Sequence, residues 1–179
     1  MTKQEKLQKA LNKKQIGKLT KEKLERAKEY DIDIETEWGY TSARYLTNEK
    51  LERAKEYDIN LGTEWGYTSA NDLTDEELKR AKKYDLDINM EWGYESARYL
   101  TKEQIELAKK YELNLETKWG YRSAYCLSEE QLERVKKYDL NLETEWGYRS
   151  ALNLTEEELK EALNQDDDNY CPNCGSKLK

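Results

Sequence analysis

The chain has 179 residues, enough for one ordinary domain, with 39% charged and 36% hydrophobic residues and a formal net charge of −7. Its mean hydropathy of −1.17 would suit a disordered chain, but disordered chains are poor in aromatics, and this one has five Trp and fourteen Tyr. The acidic balance argues against a nucleic-acid partner, no apolar run is long enough to span a membrane, and three cysteines do not make a disulfide framework.

Residues 1–18 read as an N-terminal capping helix. Thr2 and Glu5 stand at capping-box spacing, Leu7, Ala10 and Leu11 share a helical face, and Gly17 is a stop signal. The start of the chain lacks the apolar centre of a signal peptide. A cytoplasmic, membrane-free protein is expected.

Residues 19–153 are five copies of a 27-residue unit, opening at Leu19, Leu46, Leu73, Leu100 and Leu127. Trp38, Trp65, Trp92, Trp119 and Trp146 repeat at the same interval, each followed by Gly-Tyr. A fixed period of this size signals a stacked repeat array. Each copy opens with a helix. Thr20, Thr47, Thr74, Thr101 and Ser128 are its N-caps, and the Leu before each cap forms a hydrophobic staple with Leu24, Leu51, Leu78, Ile105 or Leu132. Glu77, Gln104 and Gln131 complete capping boxes, whereas Lys23 and Lys50 do not. The first helix should end near Tyr30.

Beyond Tyr30 the pattern alternates, with Ile32, Ile34, Thr36, Trp38 and Tyr40 on one side and acids on the other. Period two predicts an extended chain, and Gly39 favours a turn at Trp-Gly, followed by a short helix from Ser42-Ala43. The fold class expected is therefore mainly α: a repeat solenoid of five helix–extended loop–short helix units with terminal caps. An α/β solenoid of the leucine-rich-repeat kind is the alternative.

Asp58-Ile59-Asn60, then Gly66-Tyr67-Thr68-Ser69-Ala70, resembles the ankyrin-repeat pattern Asp-Val-Asn followed by Gly-x-Thr-Pro-Leu, in a period of 27 residues instead of 33. The resemblance implies an elongated array of shortened helix–turn–helix units with projecting loops.

Residues 154–163 open a sixth, broken copy with Thr155 and Glu158 at box spacing, and read as a C-terminal capping helix. Residues 164–170 read as an acidic linker. Residues 171–179 begin Cys171-Pro172-Asn173-Cys174-Gly175, which resembles one knuckle of a zinc ribbon. With no histidine in the chain, a zinc ion held by Cys171 and Cys174 would need two further ligands. A second chain's knuckle would supply them and make a homodimer.

Among the copies, three positions vary inside a constant frame. They are Thr41, Thr68, Glu95, Arg122 and Arg149; then Arg44, Asn71, Arg98, Tyr125 and Leu152; then Tyr45, Asp72, Tyr99, Cys126 and Asn153. Twelve of these form the candidate binding set: Thr41, Arg44, Tyr45, Thr68, Asn71, Asp72, Glu95, Arg98, Tyr99, Arg122, Tyr125 and Arg149. The Trp-Gly-Tyr series is read as inter-repeat core, and the lysines from Lys28 to Lys136 as a solvated helix face. Without a histidine or a glycine-rich phosphate loop, no catalytic residue is assigned. The function expected is a non-catalytic repeat scaffold that binds a protein partner. The alternative is modular single-stranded nucleic-acid binding by the same edge residues.

Overall fold

The computed structural model describes residue 2 and residues 13–167. All regular secondary structure among the described residues is helical, so the protein is mainly α and no strand is present there. Residues 13–16 are helical, and eleven helices follow. They are α1 (Lys21–Glu29), α2 (Glu37–Tyr45), α3 (Asn48–Glu56), α4 (Glu64–Asp72), α5 (Asp75–Tyr84), α6 (Glu91–Tyr99), α7 (Lys102–Lys110), α8 (Lys118–Cys126), α9 (Glu129–Lys137), α10 (Glu145–Asn153) and α11 (Glu156–Asp167). The odd-numbered helices start at the Leu-Thr signal and the even-numbered ones carry Trp-Gly-Tyr.

The odd helices begin where the caps and staples place them. The side chains of Thr20, Thr47, Thr74, Thr101 and Ser128 accept a hydrogen bond from the backbone N–H three residues on. Full capping boxes form at Thr74–Glu77, Thr101–Gln104 and Ser128–Gln131, and Thr155 and Glu158 make the same reciprocal pair. The staple residues Leu51, Leu78, Ile105 and Leu132 are fully buried. Each odd helix from α1 to α9 ends on a left-handed residue, namely Asp31, Asp58, Asp85, Glu112 or Asp139. The N–H after it reaches back five residues, as in Ile32 to the Ala27 carbonyl at 2.8 Å, which closes the helix with a Schellman-type bond.

The segment expected to be extended is instead a turn that runs straight into a second helix. Trp38 and Gly39 lie inside α2, and α2 is nine residues long, as long as α1, so no extended loop and no merely short helix exists. The apparent alternation has separate causes at each residue. Ile32 is a buried residue after the left-handed turn, Asp33 Oδ1 accepts the Glu35 N–H at 3.0 Å, and Thr36 caps α2 by accepting the Gly39 N–H at 3.0 Å. Glycine is required there by proximity. A Cβ on Gly39 would lie 1.9 Å from the Asp33 carbonyl oxygen, and one on Gly66 would lie 1.9 Å from that of Asn60. The helix start is pressed onto the turn before it, and any side chain would pry them apart.

Contacts divide the chain into two units, Met1–Leu100 and Thr101–Lys179. In the first unit, α1 packs on α2, α3 on α4 and α5 on α6, while α2, α4 and α6 pack in succession. Its core gathers Leu46, Leu51, Leu73 and Leu78 around the small residues Ala43, Ala54, Ala70 and Ala81. In the second unit, α7 packs on α8, α9 on α10, and α8 on α10, with Leu127, Leu132, Leu142, Tyr148 and Ala151 buried together. Helix α11 runs to Asp167, past Asn164 where the sequence reading began a linker. Cys171, Cys174 and most of the 1–18 cap lie outside the described residues.

Candidate interaction surface

Polar hooks between the helices fix the even helices and decide which of their atoms remain free. An α-helix leaves its last carbonyls without intrahelical donors. In the first unit, Arg26 donates to the Ala43 carbonyl at 3.1 Å and to Asn48 at 2.9 Å, Arg53 to Ala70 and Asp75, and Arg80 to Ala97. Lys23 and Lys50 reach the Arg44 and Asn71 carbonyls. The two lysines that spoil the capping boxes thus finish the neighbouring helix instead. In the second unit Gln104 does both, accepting the Thr101 N–H at 2.9 Å and donating to the Tyr125 carbonyl at 3.1 Å.

The constant polar residue of the even helices is buried in α2, α4, α6 and α8, as Ser42, Ser69, Ser96 and Ser123. Ser42 Oγ donates to the Leu61 carbonyl at 2.9 Å and Ser69 Oγ to that of Ile88 at 2.5 Å, each reaching the next copy's turn. Trp38, Trp65 and Trp119 are half-buried and lean on the tyrosine one copy ahead. Ring centroids are 5.7 Å apart for Trp38–Tyr67, 5.5 Å for Trp65–Tyr94 and 5.4 Å for Trp119–Tyr148. This is inter-repeat packing of the kind expected of large aromatics. Trp146 is 77% exposed.

What remains outward is the last turn of each even helix, where the copies differ, together with the first helical residue, Glu37, Glu64, Glu91, Lys118 or Glu145. In the first unit Tyr45 and Tyr99 are 59% and 50% exposed. Arg44 lies over Tyr45, with its guanidinium 5.0 Å from the ring centroid, and donates to the Tyr40 hydroxyl at 3.0 Å. Arg98 repeats this on Tyr99 and Tyr94 and adds a 3.4 Å ion pair to Asp72 from the copy before. Asn71 donates to Asp72 at 2.8 Å. The variable position nearest Trp-Gly-Tyr is less open. The Thr41 and Thr68 hydroxyls turn back to the Glu37 and Glu64 carbonyls of their own helices. Glu95 is half-buried, and that burial, followed by the nearby Glu91, pushes its carboxyl above the usual range.

In the second unit the same edge changes sign. Tyr125 is 54% exposed and stacks on Tyr121 at 6.0 Å. Lys118 and Arg122 lie over Trp119, at 4.8 and 5.4 Å from the ring centroid. Arg149 pairs with Glu145 at 2.6 Å. Burial, and then a hydrogen bond with Cys126, pushes the Tyr148 phenol up to about 12. Lys118 and Trp146 belong to this edge and stand outside the twelve sequence-derived candidates, all of which follow Trp-Gly-Tyr. The break at Lys118, where the other copies have Glu37, Glu64, Glu91 and Glu145, was the available signal.

Away from this edge, the turns of the first two copies border a groove of about 320 Å³ lined by Tyr30, Ile32, Leu51, Lys55 and Ile59 among others. The lysines Lys28, Lys55, Lys82, Lys109 and Lys136 are exposed. Among the described residues no cluster of three or more His, Cys, Asp and Glu is arranged to hold a metal, and no helix is long and apolar enough to cross a membrane. No family model, curated protein or solved structure matches the chain.

Proposed function

We propose that the chain is a non-catalytic repeat scaffold, a helical solenoid with ankyrin-like turns, that binds another protein through the last turns of its Trp-Gly-Tyr helices. One observation carries this reading. Side chains shared by the copies, such as Ser42, Ala43 and Leu46, are buried, whereas the differing ones include Tyr45, Tyr99 and Tyr125, each at least half exposed. Tyrosine and arginine side by side on an ordered edge are the residue types that dominate binding hot spots. Their cation–π contacts hold them in place before a partner arrives, which lowers the ordering cost of association. The Cys171–Cys174 knuckle adds, on sequence grounds, a zinc ion shared by two chains, which native mass spectrometry with and without chelator would detect as a metal-dependent dimer.

The test is affinity capture from lysate, with and without nuclease, using the wild type and a variant with Arg98, Tyr99, Arg122 and Tyr125 all changed to alanine. A protein that survives nuclease and is lost with the variant is the expected result. Capture unaffected by the variant overturns the surface. Capture abolished by nuclease would replace a protein partner with a nucleic acid.

A further inference from the structure

The two units present the same edge with different charge. In the first, the residue before each Trp is Glu37, Glu64 or Glu91, and Asp72 and Glu95 add further carboxylates. In the second, α8 and α10 carry Lys118, Arg122 and Arg149 against a single acid, Glu145, which Arg149 already holds at 2.6 Å. Glu143, in the turn before α10, is held by the Thr117 hydroxyl at 2.9 Å. Lys118 and Arg122 are exposed and meet no acidic side chain among the described residues. On a chain of net charge −7, this is a local patch of opposite sign.

We infer that the α8–α10 edge of the second unit binds an acidic segment of a protein partner, with carboxylates on Lys118 and Arg122 and an apolar side chain against Trp146. The inference rests on the scaffold reading above and names the chemistry of its partner. Charge favours an acidic peptide over a nucleic-acid strand, because the patch is local and the chain as a whole carries a net charge of −7, which repels a long polyanion. Lys118, Arg122 and Tyr148 already lie against Trp119, and Tyr121 stacks on one side of Tyr125, which reduces the ring area open to a base there. The Arg122 guanidinium, 5.4 Å from the Trp119 ring centroid, is exposed, and a guanidinium takes a carboxylate through paired hydrogen bonds. Trp146, 77% exposed, supplies apolar area one copy farther on.

The molecule also contains its own control. The double variant K118E/R122E recreates the pair Glu91 and Glu95 found at the same positions in α6, so the substituted helix is one the fold already accepts. Glu at the first helical position also suits the helix dipole. The experiment is fluorescence anisotropy of the whole chain with three labelled probes: a peptide alternating Glu and Leu, its Gln-for-Glu counterpart, and oligothymidylate. Wild type should bind the Glu peptide, with affinity falling about tenfold or more in K118E/R122E and falling again as salt is raised. Unchanged helical circular dichroism in the variant would tie the loss to the surface. Equal binding of the Gln peptide, equal binding by the variant, no binding of the Glu peptide, or tighter binding of oligothymidylate overturns the inference. In lysate capture, a partner lost from the fourfold alanine variant but kept by K118E/R122E would uphold the scaffold and overturn only the acidic segment.

Discussion

The two helices of a repeat have nearly the same length and are held in opposite ways. Helices α3, α5, α7 and α9 anchor through large apolar side chains, with Leu51, Leu78, Ile105 and Leu132 fully buried. Helices α2, α4, α8 and α10 bury smaller residues such as Ala43, Ala70, Ala124 and Ala151 and add close backbone contact. A side-chain-free Gly presses the first turn onto the preceding carbonyl, a capping Thr holds the Gly N–H, and arginine or lysine hooks close most of the last turns in the first unit. Burial of apolar area tolerates repacking, whereas close backbone contact does not. The even helices therefore have fixed placement, and side chains that play no part in holding them are free to vary at their outer ends.

Adding one methyl group is the hardest strike against this division. Gly66→Ala would put a Cβ 1.9 Å from the Asn60 carbonyl oxygen, and we expect a cost of about 3 kcal/mol or more, comparable to Leu78→Ala in the neighbouring odd helix. Chemical denaturation of both variants measures it, and a Gly66→Ala cost within about 0.5 kcal/mol of zero would break the comparison.

The serine hooks sharpen it. Ser69→Ala removes the donor to the Ile88 carbonyl from a fully buried site and should cost about 1–3 kcal/mol. Ser123 sits at the same position with its hydroxyl buried and unpartnered, so Ser123→Ala should be neutral or stabilising. Equal losses from the two would show that the serine hydroxyl is not what joins one copy to the next turn.

The ends of the odd helices offer a gain. Glu112 is held at φ 56° where the other copies place Asp, and a longer side chain lacks the local bonding that eases Asp into this region. Glu112→Gly should raise stability by about 1 kcal/mol, read as a higher denaturation midpoint at unchanged slope.

The smallest effect is pH-dependent and confined to α11. Lys137, and then Lys160, hold the Glu156 carboxyl down at about 2. A carboxyl depressed on folding contributes stability that is fully present above its ordinary value and lost as the pH falls toward the folded one. Hydrogen exchange should therefore show α11 loosening between about pH 4 and pH 2, with that dependence reduced in Glu156→Gln.

The odd helices were legible because their signals are local. Thr74 and Glu77, or Leu73 and Leu78, declare a helix start within a few residues of chain. The even helices were not, because the reason for Gly39 is a carbonyl six residues earlier that only the folded turn brings near. Gly in a helix then counts as a penalty, and alternating Ile32, Ile34 and Trp38 pass for an extended loop. Thr36 standing three residues before that Gly, with Thr63, Thr117 and Thr144 alike, was the readable clue. Lys23 and Lys50 looked like defects for the same reason, since the carbonyls they satisfy belong to the following helix. Of the candidate surface, Tyr45, Tyr99 and Tyr125 are exposed, whereas Thr41, Thr68 and Glu95 are half-buried.

The span of the hooks has a genetic corollary. Ser42 reaches 19 residues ahead, Lys50 reaches 21 and Arg26 reaches 22, all less than one period of 27. Unequal crossing-over that adds or drops a whole copy leaves each such side chain facing an equivalent acceptor, so the gene can lengthen or shorten in steps the protein barely registers. A frame-preserving insertion of one codon in a turn does the opposite, shifting the Gly off its carbonyl and the serine off its turn. Copy number is thus the cheap variable for heredity and spacing within a copy the expensive one, which is the condition under which a binding edge can be extended without being redesigned.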